Sequence, residues 1–246
     1  MSTTFPRATP VPIASLCLSV ATACTPAPPP TAEVLIQTVE VEVTRVIEIT
    51  STPAPSHTPT PLPPMIFQED FESGPNEWTL TSSTEGSSLV TDGHLVLTVD
   101  KPNWTFSSGH PDLDFLNPPF DLSVAITSLR SPRDAYAAIG FRYFDEANSA
   151  NLYLDGNGFV SLGEYFEGAY YDTIPWTRVA GISRGTNLLR LVDLGNRLVA
   201  YANGNLLFDM PFETLGPGGV YFFVGAFADA HAEWAFDDIV VRQLAP

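Results

Sequence analysis

The sequence predicts an all-β fold, a jelly-roll sandwich of two antiparallel sheets, preceded by a disordered N-terminal segment. Short apolar runs alternate with polar residues and are separated by Gly, Asn and Asp turn signals, which is typical of sandwiches. No segment keeps a helical period over a dozen residues. Thirteen of the 23 prolines lie in the first 64 residues, so we expect one folded domain at residues 65–246.

A secretory signal peptide is predicted at residues 1–24. Arg7 precedes an apolar stretch from about Val11 to Val20, which is too short to span a bilayer of roughly 20 residues' thickness. The small residues that follow end at Cys24, and this pattern resembles the lipobox of bacterial lipoproteins. The resemblance implies that Cys24 is lipidated and that the protein is extracellular, attached to the cell membrane by an N-terminal lipid. The alternative is a plain secretory signal with an incidental cysteine.

A linker is predicted at residues 25–64. Its Pro/Thr/Ser-rich ends favour extended, solvated polyproline II structure and cannot form a core. Between them, Val39, Val41 and Val43 alternate with polar residues, which is a strand pattern. This part of the linker is either an unstructured spacer or a strand that adds to the sheet of another molecule.

Turn signals divide the domain into strands. Thr91-Asp92-Gly93 predicts a hairpin, and the alternation of the following residues predicts a half-buried strand. The stretch Asn187–Phe208 predicts three consecutive antiparallel strands, because Gly195 and Gly204 can adopt the positive φ that tight hairpins require. Further strands or hairpins are predicted at 120–129, 135–144, 149–165, 219–228 and 232–244.

Charge and cysteine content exclude some functions. The chain has 28 acidic and 11 basic residues, a net charge of −17, and its one lysine is Lys101. Such a surface repels polyanions, so no nucleic-acid partner is expected. Both cysteines, Cys17 and Cys24, precede the domain, which therefore contains neither a disulfide nor a cysteine-based zinc site.

The order of several motifs resembles that of laminin-G-like, concanavalin A-like jelly-roll domains over residues 66–244. These motifs are the opening F-x-x-D-F with a following Trp78, then DGHLVLTV, AAIGFRYFD, NLLRLVDLGNRLVAYANG and the terminal FDDIVV. More narrowly, the domain is similar to the keto-disaccharide hydrolase-like family, and this implies a glycan hydrolase as an alternative function. Of the Glu, Gln and Asp usual in that family's corresponding strand, this sequence keeps only Asp155.

No catalytic residue is predicted. A glycosidase needs two carboxylates that face each other across the sugar, and no acidic strand motif provides them, since Glu69 and Asp70 are adjacent and point to opposite faces. The domain's histidines lie in no nucleophile motif.

A structural Ca²⁺ is the one cofactor for which the sequence offers candidate ligands. If the first and last strands lie side by side, Asp70 comes near Asp237 and Asp238, and backbone carbonyls could complete a shell of oxygens. Ordinary surface carboxylates are the alternative reading.

Aromatic residues mixed with acids predict a glycan-binding surface. Tyr165, Tyr170 and Trp176 lie among acidic residues, and Trp104, Arg142 and Tyr143 could extend the platform. Alternate members of these runs could instead face the core, to which Trp78, Trp234 and Phe236 are assigned outright. We expect a non-catalytic module that binds a carbohydrate or another surface ligand through the concave sheet and a loop near 164–176. A purely structural adhesion module is the further alternative.

Overall fold

The computed structural model describes residues 62–73, 77–131, 134–228 and 231–245. The predicted signal peptide, Cys24 and the linker as far as residue 61 lie outside the described residues, so they stay predictions. In the ranges that are described, no helix has the length and apolar character needed to cross a membrane.

The described residues form strands joined by turns, with a single turn of 3-10 helix at Pro111–Leu113, and the all-β prediction is confirmed. The strands are β1 (Met65–Glu69), β2 (Thr81–Ser82), β3 (Gly86–Thr91), β4 (His94–Val99), β5 (Trp104–Gly109), β6 (Phe120–Arg130), β7 (Ala135–Asp145), β8 (Asn148–Asp155), β9 (Phe159–Phe166), β10 (Ala169–Arg178), β11 (Thr186–Asp193), β12 (Arg197–Ala202), β13 (Asn205–Pro211), β14 (Gly219–Ala226) and β15 (Ala232–Gln243).

Two antiparallel sheets contain all of these strands. The nine-stranded sheet has the order β13-β12-β11-β6-β15-β4-β3-β2, and β1 pairs with β15 beside this path. The six-stranded sheet has the order β10-β9-β8-β7-β14-β5. Strands β6, β14 and β15 pair with strands far away in sequence, which is the crossing connectivity expected of a jelly-roll sandwich.

The predicted turns close hairpins. Asp92 and Gly93 have φ values of 50° and 73° between β3 and β4, and Gly195 and Gly204 have φ values of 92° and 78° at the two turns of β11, β12 and β13. Glycine adopts this backbone region without steric cost. The three-strand meander predicted at Asn187–Phe208 is therefore confirmed.

The core lies between the sheets and follows the period of two along each strand. On β6, Leu122 and Val124 face inward, and Ile139 and Phe141 do so on β7; all four are fully buried. The large aromatic residues assigned to the interior from sequence are also buried: Trp78, Trp234 and Phe236. Because one face of each strand is fixed in the core, the opposite residues of the six-stranded sheet form a second face of defined composition.

Candidate functional site

The face of the six-stranded sheet that is turned away from the core carries many aromatic side chains. On β7, Tyr136 alternates with the buried Ala135 and Ala137, and on β14, Phe223 alternates with buried neighbours. Rings from five strands and one following loop contact one another on this side. We call this surface the aromatic face, and its rings are Tyr136, Tyr143, Tyr153, Tyr165, Tyr170, Trp176, Tyr221, Phe223 and Phe227.

Several of these rings lie against glycines of a neighbouring strand. A Cβ added to Gly225 would lie 2.2 Å from Tyr136 Cζ, and one added to Gly163 would lie 2.5 Å from the Tyr170 hydroxyl. The same relation joins Gly140 to Phe223 and Gly109 to Tyr221. A glycine that faces outward in a strand leaves room for an aromatic ring to cover the backbone. The rings therefore lie down along the sheet instead of standing away from it.

The aromatic face has three ring clusters. In the first, Tyr136 and Tyr153 have centroids 5.2 Å apart, and each also contacts Trp176, at 6.5 and 6.0 Å respectively. Phe227 lies 5.1 Å from Tyr136 in the same cluster. The second cluster is Tyr143, Tyr221 and Phe223, and the third is Tyr165 with Tyr170 at 5.1 Å.

Polar groups lie between the clusters. Asn151 is buried on this face with 6% exposure, and its Nδ2 donates to the Ser149 hydroxyl at 3.3 Å. The Ser161 hydroxyl donates to the Ile174 carbonyl at 2.9 Å. At the far side, the Tyr221 hydroxyl donates to Asp114 Oδ1 at 2.8 Å. The face thus combines apolar ring surface with fixed hydrogen-bonding groups.

Five tyrosine hydroxyls of the aromatic face keep their protons at neutral pH. Burial, and then the hydrogen bond to Asp114, raises the pKa of Tyr221 to about 12. Burial also raises the pKa of Tyr136, Tyr143, Tyr153 and Tyr170 above the usual value for a phenol. Each of these groups can therefore donate as well as accept a hydrogen bond.

A cleft of about 830 Å³ opens at one end of the aromatic face. We call it the end cleft. Its aromatic side is formed by the first ring cluster through Tyr136, Trp176 and Phe227, and its charged residues are Asp134, Asp155 and Arg184. This volume lies within the range of roughly 300 to 1,000 Å³ that is usual for ligand sites. The turn between β8 and β9 closes one side, where Gly156 packs against the Ser131 side chain.

Four of the residues predicted to bind a ligand lie together on the aromatic face: Tyr143, Tyr165, Tyr170 and Trp176. The segment 164–176 is a hairpin of β9 and β10 and not the loop that we expected. Trp104 lies elsewhere, because it pairs with Ala226 at the end of β5 on the core-facing side of the sheet. Its ring is 42% exposed at the sheet edge, with Lys101 Nζ 4.1 Å from the ring centroid.

The structure places Arg142 in the interior and not on the predicted platform. A register shift after Phe141 interrupts the alternation of β7, and Arg142 has a φ of 48° there. Its Nε and Nη2 donate to the two carboxylate oxygens of Asp193 at 2.7 and 2.6 Å, and Nη1 donates to the Leu215 carbonyl. With 4% and 0% exposure, Arg142 and Asp193 are a buried pair that joins the two sheets.

Five rings of the aromatic face were not predicted from sequence: Tyr136, Tyr153, Tyr221, Phe223 and Phe227. Four of them occur inside strands rich in apolar residues, where an aromatic side chain usually indicates core. The available signal was the alternation of tyrosine with glycine and alanine, as in AYAAIG, because small residues on one side of a strand make room for rings from the next.

Strands β1 and β15 lie side by side, as the calcium prediction requires. Asp237 and Asp238 lie at a register shift of β15, and the Asp238 backbone N–H donates to Asp237 Oδ1 at 2.7 Å. His94 Nε2 is 3.7 Å from the Asp237 carboxylate. Among the described residues, no group of three or more His, Cys, Asp or Glu side chains is arranged to hold a metal ion. Calcium binding by Asp70, Asp237 and Asp238 stays a prediction.

Asp155 is the acid that this sequence has in common with the hydrolase-like family, and its side chain stabilises a turn. Its Oδ1 accepts the backbone N–H groups of Asn157 and Phe159, each at 2.8 Å, and its Oδ2 accepts the Asn157 amide at 3.3 Å. These bonds fix the tight turn between β8 and β9. The carboxylate therefore holds one wall of the end cleft.

Comparison with protein families and with curated protein sequences gives no match. Similar solved structures include the Crh5 transglycosylase, with a TM-score of 0.57, 12% identity, and coverage of 74% of this chain and 89% of that one. A Bacillus subtilis protein of unknown function with a galectin-like fold has a TM-score of 0.55, 12% identity, and coverage of 73% and 96%. A Clostridium perfringens endo-β-galactosidase that releases GlcNAcα1-4Gal has a TM-score of 0.53, 12% identity, and coverage of 72% and 62%.

At this level of identity the comparisons show the fold alone. The two-sheet, concanavalin A-like sandwich expected from the sequence is confirmed. Membership of the keto-disaccharide hydrolase-like family stays a prediction.

Proposed function

We propose that this domain is a non-catalytic module that binds a carbohydrate chain on the aromatic face. The observation that carries the proposal is the arrangement of the rings, four of which cover glycines of neighbouring strands and present a broad apolar surface. These rings are not simply part of the hydrophobic core, because Trp176 and Tyr170 are 39% and 48% exposed. Exposed aromatic groups of this density mark binding surfaces.

The chemistry of the face suits sugar rings. The C–H groups of a sugar pack on aromatic faces, and the hydroxyls of the sugar can form hydrogen bonds with the protonated tyrosine hydroxyls. From Tyr136 to Tyr143 along β7 the face extends roughly 23 Å at about 3.3 Å per residue, enough for several sugar units. The names of two similar structures, a transglycosylase and an endo-β-galactosidase, support a glycan ligand.

The proposal includes an extracellular location with a lipid on Cys24 and the linker at 25–64 as a spacer. Labelling of the expressed protein with a radioactive fatty acid tests this part. Incorporation in the wild-type protein and none in Cys24→Ser is expected, whereas equal labelling of the two would contradict it.

Neighbouring tyrosines of β10 provide the matched test of binding. Tyr170 belongs to the aromatic face, whereas Tyr171 points to the other side of the strand and is similarly exposed, at 53%. On a glycan array, Tyr170→Ala should lower affinity roughly tenfold, because an aromatic contact contributes about 0.5–1.5 kcal/mol beyond burial of its area. Tyr171→Ala should bind as the wild type does. Equal loss in both variants, or no binding by the wild type, would refute the proposal.

A glycan hydrolase is the second candidate, because two carboxylates, of Asp134 and Asp155, line the end cleft. Incubation with the bound glycan distinguishes the two functions by chromatography of the products. Release of shorter sugars that stops in Asp134→Asn would establish the hydrolase. Because we propose a non-catalytic module, we expect the glycan to remain intact. If the protein neither binds nor cleaves any glycan, the structural adhesion module is the alternative that remains.

A further inference from the structure

The pairing of the domain's arginines bears on the charge of a ligand in the end cleft. The chain carries 28 acidic residues against 11 basic ones, so a guanidinium group has many carboxylates with which to pair. Arg142, Arg190 and Arg197 each form such a pair, with Asp193, Asp121 and Asp209 respectively. In these three pairs a carboxylate of the same domain already balances the positive charge.

Two arginines beside the end cleft have no such partner in the part of the chain that the structure describes. Arg184 lines the end cleft, and its one hydrogen bond among the described residues is a long one, 3.4 Å from Nη2 to Asn157 Oδ1. A smaller adjoining cavity of about 280 Å³ shares Arg184 and Phe159 with the cleft and is also lined by Arg178. Within the described ranges, neither Arg178 nor Arg184 has a carboxylate within salt-bridge distance.

The acids of the cleft do not neutralise these two arginines. The Asp155 carboxylate accepts three N–H groups of its own turn, so its oxygens are directed into the β8–β9 turn. Asp134, the other acid that lines the cleft, makes no ion pair with a described residue. The guanidinium groups thus remain available to an anion that enters beside the rings of Trp176 and Tyr136.

We propose that the end cleft selects a glycan that carries an anionic group, a carboxylate or sulfate on a sugar ring, and that Arg184 and Arg178 recognise it. The planar guanidinium donates two parallel hydrogen bonds to either anion, while the sugar ring packs on the first ring cluster. This inference rests on the proposed function, because it specifies the class of glycan that the aromatic face binds.

Matched pairs of glycans test the inference with the purified full-length protein. The array holds each acidic oligosaccharide beside a neutral counterpart: oligogalacturonate beside its methyl ester, and sulfated beside unsulfated oligogalactose. We expect the wild-type protein to bind the acidic member of a pair at least about tenfold more tightly, since hydrogen bonds between charged groups are strong. The pair that shows this preference distinguishes carboxylate from sulfate. Added salt should reduce the preference.

Arg184→Gln and Arg178→Gln should abolish the preference for the acidic member. Arg197→Gln is the control, because it removes the same charge from the other sheet and should leave the preference unchanged. Equal binding of acidic and neutral members, or an equal effect of Arg197→Gln, would overturn the inference. If neutral glycans bind and Tyr170→Ala alone removes that binding, the proposed function stands and only the anionic specificity is wrong.

Discussion

The ring of Phe223 lies against the backbone of Gly140 on the neighbouring strand, and no side chain larger than a hydrogen atom fits between them. An ideal Cβ at Gly140 would lie 2.2 Å from Phe223 Cε2 and 3.2 Å from Asn151 Oδ1. Strands β7 and β14 are paired here, so neither backbone can move away without breaking the sheet. The glycine is what allows the ring to lie along the aromatic face.

Gly140→Ala should therefore displace the Phe223 ring. We expect a loss of about 1–3 kcal/mol in the free energy of unfolding, the usual cost of overpacking, together with weaker glycan binding. Chemical denaturation and the glycan array measure the two effects. Gly216→Ala is the control, because nothing lies within 4 Å of an added Cβ there. If the two variants have the same stability and affinity, the ring does not depend on the glycine.

The strand pattern of this fold could be predicted because its signals are local. The turns at Gly93, Gly195 and Gly204 each fix a hairpin by their own backbone conformation, and alternation along each strand then identifies two faces. Alternation alone does not indicate which of the two faces of a strand packs against the other sheet. Tyr136 and Phe223 come from strands almost ninety residues apart, and only their pairing through β7 and β14 shows that both point away from the core.

Arg142 shows a second limit of sequence reasoning. The residues around it predict an outward-facing polar side chain on β7, next to Tyr143. The register shift after Phe141 turns Arg142 inward instead, towards an aspartate 51 residues away. Nothing local in the sequence indicates a bulge at this position, because the partner that stabilises it belongs to the other sheet.

Calcium should stabilise the protein if the carboxylates of Asp70, Asp237 and Asp238 bind it. A ligand that binds only the folded state contributes about 2.7 kcal/mol at a hundred times its dissociation constant. Thermal unfolding with calcium chloride, and with a chelator, measures the shift in Tm. A rise in the wild-type protein and none in Asp237→Asn is expected. A Tm that is the same with calcium and with chelator would refute the site.

Alkaline pH should weaken the fold through Tyr221. Its pKa is about 12 in the folded protein and about 10 in an unfolded chain, because burial and the contact with Asp114 disfavour the phenolate. The stability that this group contributes is complete below about pH 10 and is lost as the pH rises to about 12. Denaturation at a series of pH values should show a smaller decline in Tyr221→Phe. An identical decline in both proteins would assign the alkaline effect to other groups.

The buried pair of Arg142 and Asp193 should matter for stability and not for binding. Asp193→Ala leaves a guanidinium without its counter-charge in the interior, and breaking a buried pair in this way costs about 3–5 kcal/mol. Asp209→Ala breaks the exposed pair with Arg197 and should leave the free energy of unfolding close to that of the wild type. Chemical denaturation measures both variants.

Because the pair of Arg142 and Asp193 joins β7 to the end of β11, and so links the two sheets, its loss should lower the stability of the whole sandwich. Glycan affinity of the folded Asp193→Ala protein should equal that of the wild type. If Asp193→Ala is as stable as the wild type but no longer binds glycan, the result would instead support the prediction that Arg142 binds the ligand.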